Sequence, residues 1–334
     1  MLTALLVPFA YASAHVKWFV DSDAIVDAQH GSTAFYYLTS KEVLIWSFVA
    51  IVVVGIFALI DRHVKSPKKI ERYAQSHKDT LEKIAQAFLG IFLITVSLIW
   101  KIVLIPEFPI DSHFMVFLGA FQIVAGTLFL FNIYPRIGSV ILFGLIALMT
   151  LKVGMLALIE NSILITLAFF FYVRHSPKES AAYRLNDHVL EIVRIGVGVS
   201  LIVLAFTEKL MYPELSLSFL DVHHWNFMQH FFGISWFSNE LFVLSTGFAE
   251  MIFGILFIFG YITRITTALI ACFFAMSVVT MLVQFKKWEV EDLVVYSAAV
   301  LLLFFGAGAT RFFHRIKTKD YMKKSVGHLL CKKI

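Results

Sequence analysis

The stretches "FQIVAGTLFLFNIYPRIG" (121–138) and "AEMIFGILFIFGYITRIT" (249–266) align without a gap, setting Gly126 on Gly254, Leu128-Phe129 on Leu256-Phe257, Phe131 on Phe259 and Arg136 on Arg264. Self-similarity of this kind marks a duplication. Ahead of the match, "LEKIAQAFLGIFLITVSLIWKIVLIPE" (81–107) parallels "LEIVRIGVGVSLIVLAFTEKLMYPE" (190–214), both opening on Leu-Glu and closing on Lys and Pro-Glu. Behind it, Glu160 in one copy and Glu291 or Asp292 in the other precede a last short apolar run. The chain therefore reads as a four-helix unit present twice. An even number of helices per unit gives both copies one orientation, unlike the inverted repeats of many ion-coupled carriers.

The bulk numbers set the solvent. Of 334 residues, 59% are hydrophobic and 15% charged, and the mean hydropathy is +0.82, too little charge to coat a water-soluble globule of this size. Apolar runs near the ~20 residues that cross a bilayer recur nine times, at about 43–60, 86–105, 114–133, 137–158, 162–173, 192–210, 241–261, 264–285 and 293–309. The predicted fold is all-α: a polytopic membrane protein of about nine transmembrane helices, one leading helix and two four-helix bundles. Its expected segments are a signal-like leader (1–14), an outer arm (15–42), the leading helix (43–60), a basic linker (61–84), the first unit (85–175), the second unit (190–310) and a basic tail (311–334).

Loop charge gives the expected orientation, since Lys and Arg gather on the cytoplasmic side. The linker 61–83 holds seven Lys or Arg, and the tail is similarly basic. Both are expected in the cytoplasm, with the N-terminal arm outside a bacterial inner membrane. Nine crossings satisfy every loop except the one carrying Lys286 and Lys287. The net charge of +5 is then explained by topology and by anionic lipid, and no nucleic-acid partner is implied. The two cysteines, Cys272 in a predicted span and Cys331 in the tail, lack the Cys-x-x-Cys spacing that disulfide exchange needs.

Arg194, Gly196 and Gly198, the Glu208-Lys209 pair ending the same span, and then Glu250, Gly254, Gly260 and Arg264 form a pattern that resembles the DoxX-like family of four-helix membrane proteins. The resemblance covers 190–310 well and 81–175 more loosely, with Ala85 or Gln86 near the Arg194 position and Gln122 at that of Glu250. It implies a redox-associated membrane subunit linked to quinone or a small sulfur species, with a periplasmic or membrane redox protein as partner. Within these 334 residues no soluble domain of the thiosulfate-oxidising type is expected.

Glu250 falls mid-span, where an ionised carboxylate costs roughly 2.5–3.5 kcal/mol on insertion scales unless protonated, paired or wet. It reads either as a proton-accepting, quinone-facing group, with Thr246, Thr280 and Gln284 as polar company, or as a structural carboxylate bonded to a neighbouring helix. Gln122 keeps its shape in the first copy but cannot ionise. Arg194 and Lys209 lie fifteen residues apart on one helix, a rise of ~22 Å, and so mark its two ends as flanking charges. Lys209 suits snorkelling, pairing with Glu208 or Glu214, or attraction of an anionic substrate. Lys152, inside the fourth span, has Glu160 or Asp111 as its expected partner. Arg136 and Arg264 lie at inner turns.

"DVHHWNFMQH" (221–230) sets His223, His224 and His230 beside Trp225 and Phe227 on an outer loop. Imidazoles suit copper or zinc, though an interfacial amphipathic helix explains the stretch equally well. Residues 2–11 are apolar but too short to span, and Ala12-Ser13-Ala14 fits the small-x-small cleavage rule. Cleavage there would give His15 a free amine beside its imidazole, with His30 on the same arm. Three functions follow as expectations: a quinone- or sulfur-linked redox subunit using Glu250, Arg194 and Lys209; a copper- or zinc-handling protein using the outer histidines; and a scaffold of a membrane complex.

Overall fold

The computed structural model describes residues 40–64, 67–211, 213–230, 232–280, 282 and 290–308. These are all-helical, with no strand beyond an isolated bridge between Ile102 and Pro109. The leader, most of the arm, His15, His30, Gln284 and the tail lie outside the described residues.

Helix α1 (Lys41–His63) is capped by Ser40, whose hydroxyl accepts from the Val43 N–H. A short basic helix α2 (Lys68–Ser76) follows, then the first repeat: α3 (Lys78–Leu98), α4 (His113–Leu130), α5 (Pro135–Val153), a one-and-a-half-turn α6 (Met155–Glu160) and α7 (Ser162–Arg174). The second repeat comprises α8 (Val189–Leu204, continued as a π turn over Ala205–Leu210), short helices α9 (Pro213–His223) and α10 (Phe227–His230), then α11 (Asn239–Phe259), α12 (Thr263–Thr280) and α13 (Asp292–Phe305). By length and composition six helices could cross a membrane: α1, α3, α4, α5, α8 with its π turn, and α11. The apolar helices α7, α12 and α13 are shorter.

Packing repeats with the sequence. Within each copy the first helix lies along the second, α3 on α4 and α8 on α11. Between copies the first helix of one lies along the last of the other, α3 on α13 and α8 on α7. Ser297 on α13 donates to the Ala85 carbonyl at 2.8 Å, and Ser162 on α7 donates to the Gly196 carbonyl at 2.7 Å, so a hydroxyl ties each cross-copy pair. One apolar core runs through both copies, from Leu89, Leu93 and Phe129 to Phe257, Leu301 and Leu302. A separate apolar seam holds α1 against α11 through Val43, Ala50, Leu244 and Phe248. The opposite side of α1, with Leu44, Phe48 and Ile51 more than three-fifths exposed, is an apolar face of the kind that lipid solvates.

The close helix pairs rest on glycine. A Cβ added at Gly90 would meet the Gly126 carbonyl oxygen at 2.6 Å, and one added at Gly198 would meet the Gly254 carbonyl oxygen at 2.6 Å. In lipid, where apolar side chains gain nothing by leaving solvent, such backbone approach supplies much of the helix–helix attraction.

Three boundaries depart from the hydropathy reading. The span expected over 86–105 ends at Leu98, and Val103, Leu104, Ile105 and Phe108 fold back as a buried apolar loop. Gln122 holds it, its Oε1 accepting from the Leu104 N–H at 2.8 Å while its Nε2 donates to the Leu93 carbonyl at 2.9 Å. The span expected over 137–158 breaks at Gly154, whose φ of 105° suits glycine alone. The expected linker 61–84 is largely helical, and α3 begins seven residues before the expected first unit.

The glycine crossings predict that Gly90→Ala and Gly198→Ala each lower stability by about 1–3 kcal/mol through overpacking. Gly144→Ala, where nothing lies within 4 Å of the added Cβ, should be neutral or raise stability by up to ~1 kcal/mol. Unfolding midpoints of the three variants in detergent check this; equal losses at all three positions would contradict it.

Candidate functional site

The end of α8 carries the site. After Leu204 the helix widens into a π turn, closed by the Met211 N–H on the Phe206 carbonyl at 2.8 Å. A π turn inserts a residue into a helix and turns those beyond it, and such turns are frequent at functional positions. Here it presents Glu208, fully buried, and Lys209. The Lys209 ammonium donates to Glu250 at 3.0 Å and to Glu208 at 3.2 Å. Glu250 reaches this point from the middle of α11, and Gly247 one turn earlier admits the lysine stem: a Cβ there would lie 3.0 Å from that of Lys209. The pair is largely buried, with side chains 12% and 18% exposed.

Beside this cluster lies a cavity of about 110 Å³ lined from both copies. Its wall includes Glu208 and Glu250 from the second copy, Glu160 at the end of α6, and Glu291 and Asp292 at the start of α13. Glu160, Glu291 and Asp292 are each at least nine-tenths buried. Asp292 sits in the first turn of α13, where the helix dipole favours a negative charge. Ser200 donates to the Glu160 carbonyl and fastens α6 to α8. Apolar groups such as Phe92, Leu201 and Phe274 complete the lining. Just past the cluster, Ser216 on α9 donates to the Glu208 carbonyl at 3.1 Å, and burial pushes the neighbouring Glu214 carboxyl above its ordinary value.

The structure brings Glu250 and Lys209 together and sets Arg194 apart. Arg194 is buried at the far end of α8, where its Nη1 donates to the Phe257 carbonyl and, at 3.0 Å, to the Ile258 carbonyl. It closes the C-terminus of α11 where Gly260 turns the chain with a φ of 74°. Arg264 does the same for α13, donating to the Leu303 and Phe304 carbonyls at 3.1 Å beside Gly306. Both arginines act as helix caps. Arg136 instead donates to the Tyr172 hydroxyl at 3.1 Å. Thr246 bonds its own helix through the Phe242 and Val243 carbonyls and is not among the cavity residues. The Thr280 and His223 side chains lie outside the described residues. Lys152 lies over the Phe108 ring, 4.8 Å from its centroid, instead of against Glu160 or Asp111.

The His224 and His230 rings stack edge to face with centroids 5.9 Å apart. Among the described residues no group of three His, Cys, Asp or Glu side chains is arranged to hold a metal ion. Nearby, Trp225, Phe227 and Phe242 form an apolar cluster that ties this stretch to α11.

Glu208, Glu160, Glu291 and Asp292 are the site residues that sequence reasoning did not assemble. Their signal was present, because an acid precedes the last short helix in both copies. Only the cross-copy packing shows that these acids face one space.

No protein-family model matches this chain, and neither a curated protein nor a solved structure shows significant similarity to it.

Removing one partner of a buried ion pair typically costs about 3–5 kcal/mol. Lys209→Met is therefore expected to destabilise by about that amount. Lys101→Met, at the matching but exposed position of the first copy, should change stability by no more than about 0.5 kcal/mol. Thermal unfolding of the two variants checks this, and similar losses in both would contradict it.

Proposed function

We propose that the protein is an integral membrane protein that takes up and gives up a proton at the Glu208–Lys209–Glu250 cluster, within a redox-associated complex of a bacterial inner membrane. The observation that carries the proposal is the sharing of one ammonium by two carboxylates, at a π turn, beside a cavity walled by three further acids. Fully ionised, these three side chains among the described residues carry one net negative charge, and one proton on a carboxylate neutralises it. Lys209 holds both carboxylates on one ammonium, at 3.2 and 3.0 Å. At ~30 Å³ per water, the cavity of about 110 Å³ accommodates three to four waters, enough to relay a proton between Glu250 and the other acids of the wall, Glu160 of the first copy among them.

The proposal includes nine crossings, counting α7, α12 and α13 with the six longer helices, arranged as a leading helix and two four-helix units. The basic linker and tail then face the cytoplasm. The redox setting rests on the resemblance to DoxX-like proteins, with the electron carrier belonging to a membrane or periplasmic partner. No step of the proposal is routed through a quinone.

Infrared difference spectra of the protein in lipid nanodiscs, recorded across a pH step, test the reading. A protonated-carboxyl band is expected in wild type and its loss in Glu250→Gln, with Gln122→Leu retaining it. A band unchanged by Glu250→Gln would contradict the proposal.

A further inference from the structure

At the basic end of the molecule a second cavity, about 430 Å³ in volume, lies between the end of α1, the start of α2, the α11–α12 turn and the end of α13. It is nearly three times the size of the ~150 Å³ apolar cavity that holds a benzene ring. Its walls are mostly apolar, and small residues, Gly260, Ala268, Gly306 and Ala307, leave it open. Val64, Ile70, Ile265, Leu269 and Cys272 on its wall are all exposed, so the space faces outward, where the apolar surfaces of α1 and α12 require hydrocarbon.

One end is polar. The Thr263 hydroxyl is 96% buried by the 4% exposure of its residue, lines the cavity and has no hydrogen-bond partner among the described residues. An unsatisfied buried hydroxyl costs about 1–3 kcal/mol, which a bound acceptor would recover. Thr263 also opens α12, an 18-residue helix whose N-terminal end carries partial positive charge. The Arg264 guanidinium borders the same space, and Arg62, Lys68 and Lys69 are exposed next to lining residues Asp61, Pro67 and Ile70. Among the described residues these four cations stand beside two acids, Asp61 on the Ile262 N–H and Glu71 at 3.9 Å from Arg264.

An apolar chamber opening sideways, with an unsatisfied donor and an excess of cations at one rim, matches one ligand chemistry: an acyl chain joined to an anionic phosphate head. We propose that this cavity binds an anionic phospholipid, with an acyl chain along Ala268 and Leu269 and the phosphate at the Thr263 hydroxyl and the first turn of α12. Basic pockets between helices hold lipid head groups in this way. The inference shares the membrane placement of the preceding section and is independent of the Glu250 cluster.

Native mass spectrometry of the full chain, released from mild detergent with added phosphatidylglycerol or phosphatidylcholine, tests it. Wild type should retain one phosphatidylglycerol at least tenfold in preference to phosphatidylcholine. Thr263→Val should weaken retention several-fold, and Ala268→Phe should abolish it. Val140→Phe, on an outward position of α5, should leave it unchanged. Equal retention of the two lipids, or retention undiminished in Ala268→Phe, would overturn the proposal, as would retention seen only after removal of 311–334, which would make the basic tail the occupant. A second measurement is independent of whether the filled variant folds. In a Cys331→Ser background, maleimide should label Cys272 more slowly in phosphatidylglycerol nanodiscs than in phosphatidylcholine ones, and equal rates would also overturn it.

Discussion

Gly90 against Gly126 and Gly198 against Gly254 bring backbone onto backbone at the same place in each copy. In hydrocarbon, helices are not driven together by the exclusion of water, so close packing, with interhelical hydrogen bonds such as those of Ser162 and Ser297, holds them. With α3 locked on α4 and α8 on α11, the far sides of α3 and α8 are left to the last helices of the opposite copies, α13 and α7. That exchange builds one core from two repeats. It also leaves between them the acid-walled space on which the proposed chemistry rests.

The glycine contacts fix a register in which Gly198 stands for Gly90. Eleven residues further along the chain from each of these glycines come Lys101 and Lys209, preceded by Trp100 and Glu208. Gln122 and Glu250 stand correspondingly four residues before Gly126 and Gly254. In the first copy the helix unwinds at this point, and the Gln122 amide pins the returning loop by bonding Leu93 and Leu104. In the second copy the chain stays coiled as a π turn, and the amide and the indole are replaced by two carboxylates about one ammonium. An amide satisfies both its donor and its acceptor locally and has no charge to change. The ion cluster occupies the same framework with a group that can ionise, and this asymmetry is the strongest support for placing the proposed chemistry in the second copy.

The all-helical class and the long apolar helices were legible because hydropathy is a property of the chain alone. The end of α3 was not. Val103, Leu104 and Ile105 are as apolar as a span, and a buried loop differs from a helix only in where its backbone hydrogen bonds go. Gly154 gave a local sign of a break, but a single glycine is compatible with a continuous helix too. Glu250 stood out as a mid-span carboxylate, whereas its pairing with Lys209 depends on the α8–α11 crossing and the π turn, which no spacing rule encodes. Arg194 shows the reverse: its charge suggested chemistry, and its place at the carbonyls ending α11 is set by a helix 63 residues further along the chain. His15 and His30 lie beyond the described residues, and the sequence cluster at 223–230 becomes largely an aromatic contact with α11.

The claim on which the account turns is that Lys209 and Glu250 are energetically one unit inside the protein. A double-mutant cycle on unfolding free energy, with Lys209→Met and Glu250→Gln made singly and together, measures that coupling directly. The account predicts a coupling clearly above the ~0.5 kcal/mol within which independent sites add. Additive losses would contradict it.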